Sequence, residues 1–195
     1  SINLLWDVIF HISVSLAEEL PLRGWLLLNT AEACVAHLHV SAATSLLCAV
    51  AAESCLFALL HLGSPGASRR GLINLTIGGV AAGLNVVLSG GLAFPLAWHF
   101  CWNIFMGHLL GLSTSGIPMS CSLVTIIPHP GKEHLHGGRF GPEQSVLAPA
   151  AYIFTVACLI SCYGFEHWRQ GTIVKDSDAF HLLHAAFFGD AAAQS

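Results

Sequence analysis

Apolar residues fill long blocks of this chain, and short polar or glycine–proline stretches separate them. The blocks predict a first helix within residues 2 to 16 and a second from near Ala17 to about Ala36, with Pro21 early in it, where a missing N–H costs least. A third span is expected from Ser41 to Leu62, ended by the breaker Gly63-Ser64-Pro65-Gly66. A fourth covers Leu72 to Leu88, and Gly90-Gly91 turns the chain into a fifth from Leu92 to Leu112. Residues 113 to 146 are rich in Gly, Pro, Ser and His without a helical period and read as a loop. A last span from Ser145 to Tyr163 precedes a polar tail with a weak amphipathic patch around Phe180 to Phe188. No internal repeat is visible.

Composition assigns these blocks to a membrane. Only 9% of residues are charged, 54% are hydrophobic, and the mean hydropathy is +0.69. Between Arg70 and Lys132 there are 61 residues without Asp, Glu, Lys or Arg, where a helix needs only about 20 apolar residues to cross the hydrocarbon core. The expected fold is an all-α, polytopic transmembrane bundle of five to six spans, multi-pass and integral to a membrane. Arg69 and Arg70 favour the cytoplasmic side for the loop they occupy. The net charge of −4 and the lack of a basic run argue against nucleic acid as a partner. The chain begins at Ser1, without Met or a basic leader, so it reads as a piece of a longer protein. Its seven cysteines show no CxxC spacing, which disfavours a disulfide framework or a zinc cluster.

Three polar patterns interrupt the apolar blocks: Glu18-Glu19-Leu20-Pro21-Leu22-Arg23, Phe57-Ala58-Leu59-Leu60-His61, and His99-Phe100-Cys101-Trp102-Asn103. An ionisable group at the bilayer centre costs roughly 2.5 to 3.5 kcal/mol, so such residues pair with one another or face a cavity. Glu19 and Arg23 are four apart and share a helix face, while Glu18 points about 100° away. Phe57 with His61, and His99 with Asn103, each present one stripe to the interior. Taken singly, a Glu–Arg pair is more often structural and a membrane His more often a packing residue. Together, a carboxylate, two imidazoles and an amide make a full hydrolytic set.

In that set Glu18 is the general base on a water shared with His61, a role worth on the order of 100- to 10,000-fold in rate. His99 and Asn103 stabilise the oxyanion, at about 2.7 to 4 kcal/mol per donor. Glu19 and Arg23 hold their helix in register, with Phe57 in support. No cofactor and no metal is assigned.

The three patterns resemble the EExxxR, FxxxH and HxxxN motifs of the CAAX protease and bacteriocin-processing family of intramembrane proteases, also called the abortive-infection family, which includes the type II CAAX prenyl endopeptidases. All three occur intact and in order over residues 18 to 103, and the string Gly137-Gly138-Arg139-Phe140-Gly141-Pro142-Glu143 is similar to a segment after the third motif in some bacterial-type members. The resemblance implies a helical protease domain over residues 1–163, a tail over 164–195, and hydrolysis of membrane-associated peptides or prenylated proteins. It places the water-activating base on Glu18 with His61 and oxyanion stabilisation on His99 and Asn103.

Leu22 stands where members often carry an aromatic residue, and Pro21 is an uncommon variant. Glu53 shares a face with Phe57 and His61, about 12 Å from His61 along the helix, and a neutral, protonated carboxyl is the expected state. His129, His134 and His136 read as a solvated loop, and Trp6, Trp25, Trp98, Trp102 and Trp168 as interface anchors or packing. Three rivals stay open: a zinc enzyme with Glu18, His61 and His99 as ligands, a catalytically silent membrane scaffold, and a proton-relay transporter.

Overall fold

The computed structural model describes residues 2–164, which are helical or irregular and contain no strand; a single bridge joins Thr114 and Ile117. Trp168 and the tail from Glu166, with its patch at Phe180 to Phe188, lie outside the described residues.

The chain opens with α1 (Ile2–Glu19), which passes without a break through a π-helical stretch, Leu20–Leu26, into α2 (Leu27–Leu38). The expected division before Ala17 is therefore absent. Pro21 sits in the first turn of the π stretch, and its missing N–H is absorbed by a change of hydrogen-bond register rather than by a helix end. Single π turns of this kind often occur at functional positions, and this one contains the Arg of the first motif.

Helix α3 (Ala42–Leu60) starts at Ser41, whose hydroxyl accepts from the Thr44 N–H, and α4 (Arg69–Ser89) starts at Ser68, which accepts from the Gly71 N–H. Gly90 ends α4 with φ +70°, and α5 (Ala93–Ile104) continues as a second π stretch, Phe105–Leu109. The following segment holds more structure than its composition suggests: a four-residue helix α6 (Glu133–His136) and a 3₁₀ turn, Pro142–Gln144. Helix α7 (Ala148–Leu159) closes the described chain, followed by a π turn, Ile160–Gly164.

Helix α4 is central, packed on α3, α5, α7 and the 3₁₀ turn, while α1 packs on α5 and α2 on α3. Between apolar helices in lipid the driving force is close packing, which small residues permit. The buried face of α4 supplies them, with Gly71, Gly78, Gly79, Ala81, Ala82 and Gly83 all covered. One cluster joins Leu27, Leu28 and Ala31 of α2 to Leu46, Ala49 and Val50 of α3, and a second joins Leu22, Phe57, Ala58 and Leu75 to Phe140 of the loop. Ser45 adds a hydrogen bond from its hydroxyl to the Ala31 carbonyl.

The outward faces of the helices carry large apolar side chains: Trp6 and Trp25 are 63% and 64% exposed, and Leu47, Leu59, Ile73, Ile153 and Phe154 face outward with them. One helix among the described residues, Arg69–Ser89, is long and apolar enough by itself to cross a membrane, while Thr44–Leu60 and Ala148–Cys162 are shorter apolar helices.

Candidate active site

A cavity of about 450 Å³ opens among α1, α3, α4, α5 and the segment after α5, and Glu18, Glu19, Arg23, Phe57, His61, His99 and Asn103 all line it. Three stretches separated by more than thirty residues each thus meet on one volume.

The buried charges form a chain through its wall. Arg23 is 1% exposed; its Nη1 donates to Glu19 Oε1 at 3.3 Å, and its Nε lies 3.2 Å from Glu53 Oε2, close enough for ion pairing but not aligned as a hydrogen bond. Glu53, fully buried on α3, also accepts from Ser54 Oγ at 3.3 Å. The carboxyl singled out beside Phe57 and His61 is thus a partner of the motif arginine, reached where α3 packs against the π stretch Leu20–Leu26. The guanidinium stacks over the Phe57 ring, 4.5 Å from its centroid, an arrangement worth about 0.5 to 2 kcal/mol.

The imidazoles are oriented by what their Nδ1 atoms touch. His61 caps the end of α3, and its Nδ1 is 2.9 Å from the Phe57 carbonyl, so that Nδ1–H donates there and Nε2 is left outside that contact. The Phe57 ring meets His61 edge-on at 4.8 Å and His99 at 6.5 Å. His99 lies between the two motif glutamates: Nδ1 is 2.8 Å from Glu19 Oε1, and Nε2 is 3.8 Å from Glu18 Oε2. Glu19 therefore serves Arg23 and His99 at once. Glu18 keeps 28% of its side-chain exposure and Glu19 only 2%, so the first glutamate of the pair is the one open to water. Asn103 is buried at the end of α5 and lines the same cavity.

Glu143 enters the same wall from the 3₁₀ turn. Gly141, at φ +113°, lets the chain make that turn in a conformation few other residues adopt, and Asn74 Nδ2 of α4 donates to the Glu143 and Ser145 carbonyls at 2.8 and 2.7 Å. The Glu143 carboxyl accepts from the Ser115 N–H at 2.6 Å and the Ser115 hydroxyl at 3.0 Å. Burial nevertheless pushes its pKa up to about 7, the bonds from Ser115 opposing and the nearby Glu18 reinforcing the rise. The string Gly137 to Glu143 stood out in the sequence, but no role attached to its last residue.

His11 also lines the cavity. Its signal was present: Asp7, His11, Ser15, Glu19 and Arg23 recur at every fourth position, a polar stripe running back from the motif along α1. By contrast the loop imidazoles are engaged with backbone, His129 Nδ1 lying 2.7 Å from the Pro130 carbonyl and His136 Nδ1 accepting from the Gly138 N–H at 3.1 Å. Trp98 and Trp102 pack around Tyr152 with ring centroids 6.0 and 5.3 Å away and line the cavity.

None of the curated proteins and none of the solved structures compared with the chain matches it. Comparison with protein families does give a match, over residues 1–105, which carry all three motifs and most of the cavity wall. That match, to the family described as type II CAAX prenyl endopeptidase Rce1-like, covers more than half of the chain, which therefore belongs to this family of membrane proteases.

Proposed function

We propose that this chain is a multi-pass intramembrane endopeptidase that hydrolyses peptide bonds of membrane-associated or prenylated, CAAX-type substrates by a metal-free, water-mediated route. Glu18 takes the proton from a water that His61 Nε2 also holds, and the incipient hydroxide attacks the scissile carbonyl. Asn103 and a doubly protonated His99 donate to the oxyanion, and the proton held by Glu18 passes to the leaving amine as the tetrahedral intermediate collapses. Glu19 and Arg23 orient His99 and the first helix.

The observation that carries this reading is the position of His99, with Nδ1 2.8 Å from buried Glu19 and Nε2 3.8 Å from the more exposed Glu18, on one cavity with His61 and Asn103. Such a shared pocket is what a base, a water and an oxyanion need, since reacting groups must converge on one point about 3 Å from each. Against the zinc version stands the spread of the donors: no ligand atoms of Glu18, His61 and His99 come mutually within 4.8 Å. The apolar wall of Phe10, Val14, Leu60, Trp98 and Ile117 suits a substrate with a hydrophobic chain beside the cleaved bond. Support for several spans comes from the outward apolar faces of α1, α3, α4 and α7.

The test is cleavage of a panel of prenylated and unmodified CAAX-type peptides in liposomes by wild type, Glu18→Gln and His61→Gln, with the metal content of each protein measured. The expected result is cleavage by wild type, loss in both variants, and unchanged metal content. Metal lost with either variant would move both residues to ligand roles, and no cleavage by wild type would favour the scaffold.

A further inference from the structure

The polar stripe of α1 extends beyond the motif to a second group of donors. His108, from the π stretch after α5, and Cys121, from the loop that follows, face Asp7. Asp7 Oδ2 lies 3.8 Å from His108 Nε2 and 3.8 Å from Cys121 Sγ, and one ligand atom of each residue is within 4.8 Å of the other two. Cys121 Sγ donates weakly to Asp7 Oδ2 and lies 3.9 Å from His108 Nδ1, while the Asp7–His108 separation is too long for an N–H···O hydrogen bond. The separations from Asp7 are close to the ligand spacing around tetrahedral zinc, where bonds of about 2.0 to 2.3 Å leave donor atoms roughly 3.3 to 3.6 Å apart.

The histidine is prepared for such a role. His108 is 6% exposed, and its Nε2 is buried without a hydrogen-bond partner among the described residues. Its Nδ1 is 2.9 Å from the Cys121 carbonyl oxygen, so Nδ1–H donates there and Nε2 is the nitrogen that faces Asp7. A backbone acceptor on the distal nitrogen is the usual partner of a metal-bound imidazole. Ser120 Oγ donates to Asp7 Oδ2 and orients that carboxylate in the same way.

We propose that Asp7 Oδ2, His108 Nε2 and Cys121 Sγ bind a zinc-class divalent ion, with water in the fourth position. The donor set of one thiolate, one imidazole and one carboxylate selects zinc over magnesium or calcium, which prefer all-oxygen shells. Cys121 gives its thiol proton to solvent as it ligates. The site is distinct from the carboxylate–imidazole cavity but adjoins it. The His11 ring is edge-on to His108 at 5.7 Å, its Nε2 is 3.0 Å from Met119 Sδ, and His11 itself lines the cavity. The ion ties the segment after α5 to the first helix, and that segment supplies Thr114, Ser115 and Ile117 to the cavity wall.

Cobalt(II) titration of the whole chain in detergent micelles tests this without recourse to activity. Wild type is expected to bind one cobalt with a thiolate charge-transfer band and intense tetrahedral d–d bands. Cys121→Ser should abolish the charge-transfer band, and Asp7→Asn and His108→Gln, each removing a direct ligand, should weaken binding by more than the about 10- to 100-fold that loss of a ligand's hydrogen-bond partner costs. A band absent from wild type, retained in Cys121→Ser, or lost in His61→Gln overturns the assignment. Zinc-edge X-ray absorption on wild type needs no variant: one sulfur at about 2.3 Å with nitrogen and oxygen at about 2.0 to 2.2 Å is expected, and a shell lacking sulfur, or holding several, refutes the site.

Discussion

His99 Nδ1 and Glu19 Oε1 are 2.8 Å apart, in a wall where Glu19 is almost wholly buried. The contact turns the second glutamate of the pair from a helix brace into a positioning group for an imidazole. It also fixes which nitrogen of His99 faces Glu18. A carboxylate behind an imidazole sets its tautomer and supports its charged form, and replacing such a carboxylate by an amide has large kinetic effects with little structural change.

Glu19→Gln is therefore expected to lower kcat by on the order of 100-fold or more while leaving KM nearly unchanged. Steady-state cleavage kinetics in micelles check this. A KM effect alone, or an unchanged kcat, would return Glu19 to a purely structural role. Glu19→Asp, which keeps the charge but shortens the reach, should recover part of the loss.

Arg23 lies between two buried carboxylates, with Nη1 3.3 Å from Glu19 and Nε 3.2 Å from Glu53. Removing one partner of a buried pair typically costs about 3 to 5 kcal/mol, whereas replacing the pair together with apolar groups is often neutral. Arg23→Met should destabilise by that order, and Arg23→Met with Glu53→Leu should be less unstable than the sum of the single changes. Unfolding in mixed detergent micelles measures the cycle, and strict additivity would mean that the pair does not interact.

Glu143 predicts a pH dependence of stability. Its folded pKa is raised to about 7 from an ordinary carboxyl value of 4.5. Below pH 4.5 both folded and unfolded states hold the proton, and the contribution is fully present. As pH rises from there to about 7 the unfolded state releases the proton first, so stability falls, by about 3 kcal/mol in all. Glu143→Gln should flatten this slope, as read from unfolding midpoints between pH 5 and 7.5. An unchanged slope would show that another group titrates.

Local rules and tertiary contacts divided what the sequence could reveal. The start of α3 and the end of α4 were legible because Ser41 and Gly90 act on their own neighbours. The start of α4 was not: Ser68 caps the helix three residues before the expected Leu72, so Arg69 and Arg70 form its first turn rather than a loop. The motif side chains were legible because each pair lies one helical turn apart. The continuous helix from α1 to α2 was not, since Pro21 announces a helix start and only the π register accommodates it mid-helix. Nor was the pairing of Glu53 with Arg23, which depends on α3 lying against the first motif. Glu143 reaches the cavity because Asn74, 69 residues earlier, holds its turn, a contact no spacing rule contains.

The approach of α4 to Glu53 yields the last prediction. A Cβ on Gly83 would fall 2.7 Å from Glu53 Oε1 and 3.1 and 3.2 Å from the two Val50 methyls. Alanine is intrinsically better in a helix by about 1 kcal/mol, but overpacking costs about 1 to 3 kcal/mol, and the two effects oppose each other. The Val50 contacts yield little, because Val50 is buried in the α2–α3 cluster. The carboxylate is the part that moves, and its other oxygen is the one 3.2 Å from Arg23 Nε. Gly83→Ala should thus destabilise by about 1 to 2 kcal/mol and also lower cleavage activity, since Arg23 stacks on Phe57 and Phe57 holds His61. Gly91→Ala, where a Cβ meets nothing within 4 Å, is the control and should change neither. Loss of stability without loss of activity in Gly83→Ala would break the chain of contacts from Glu53 to His61.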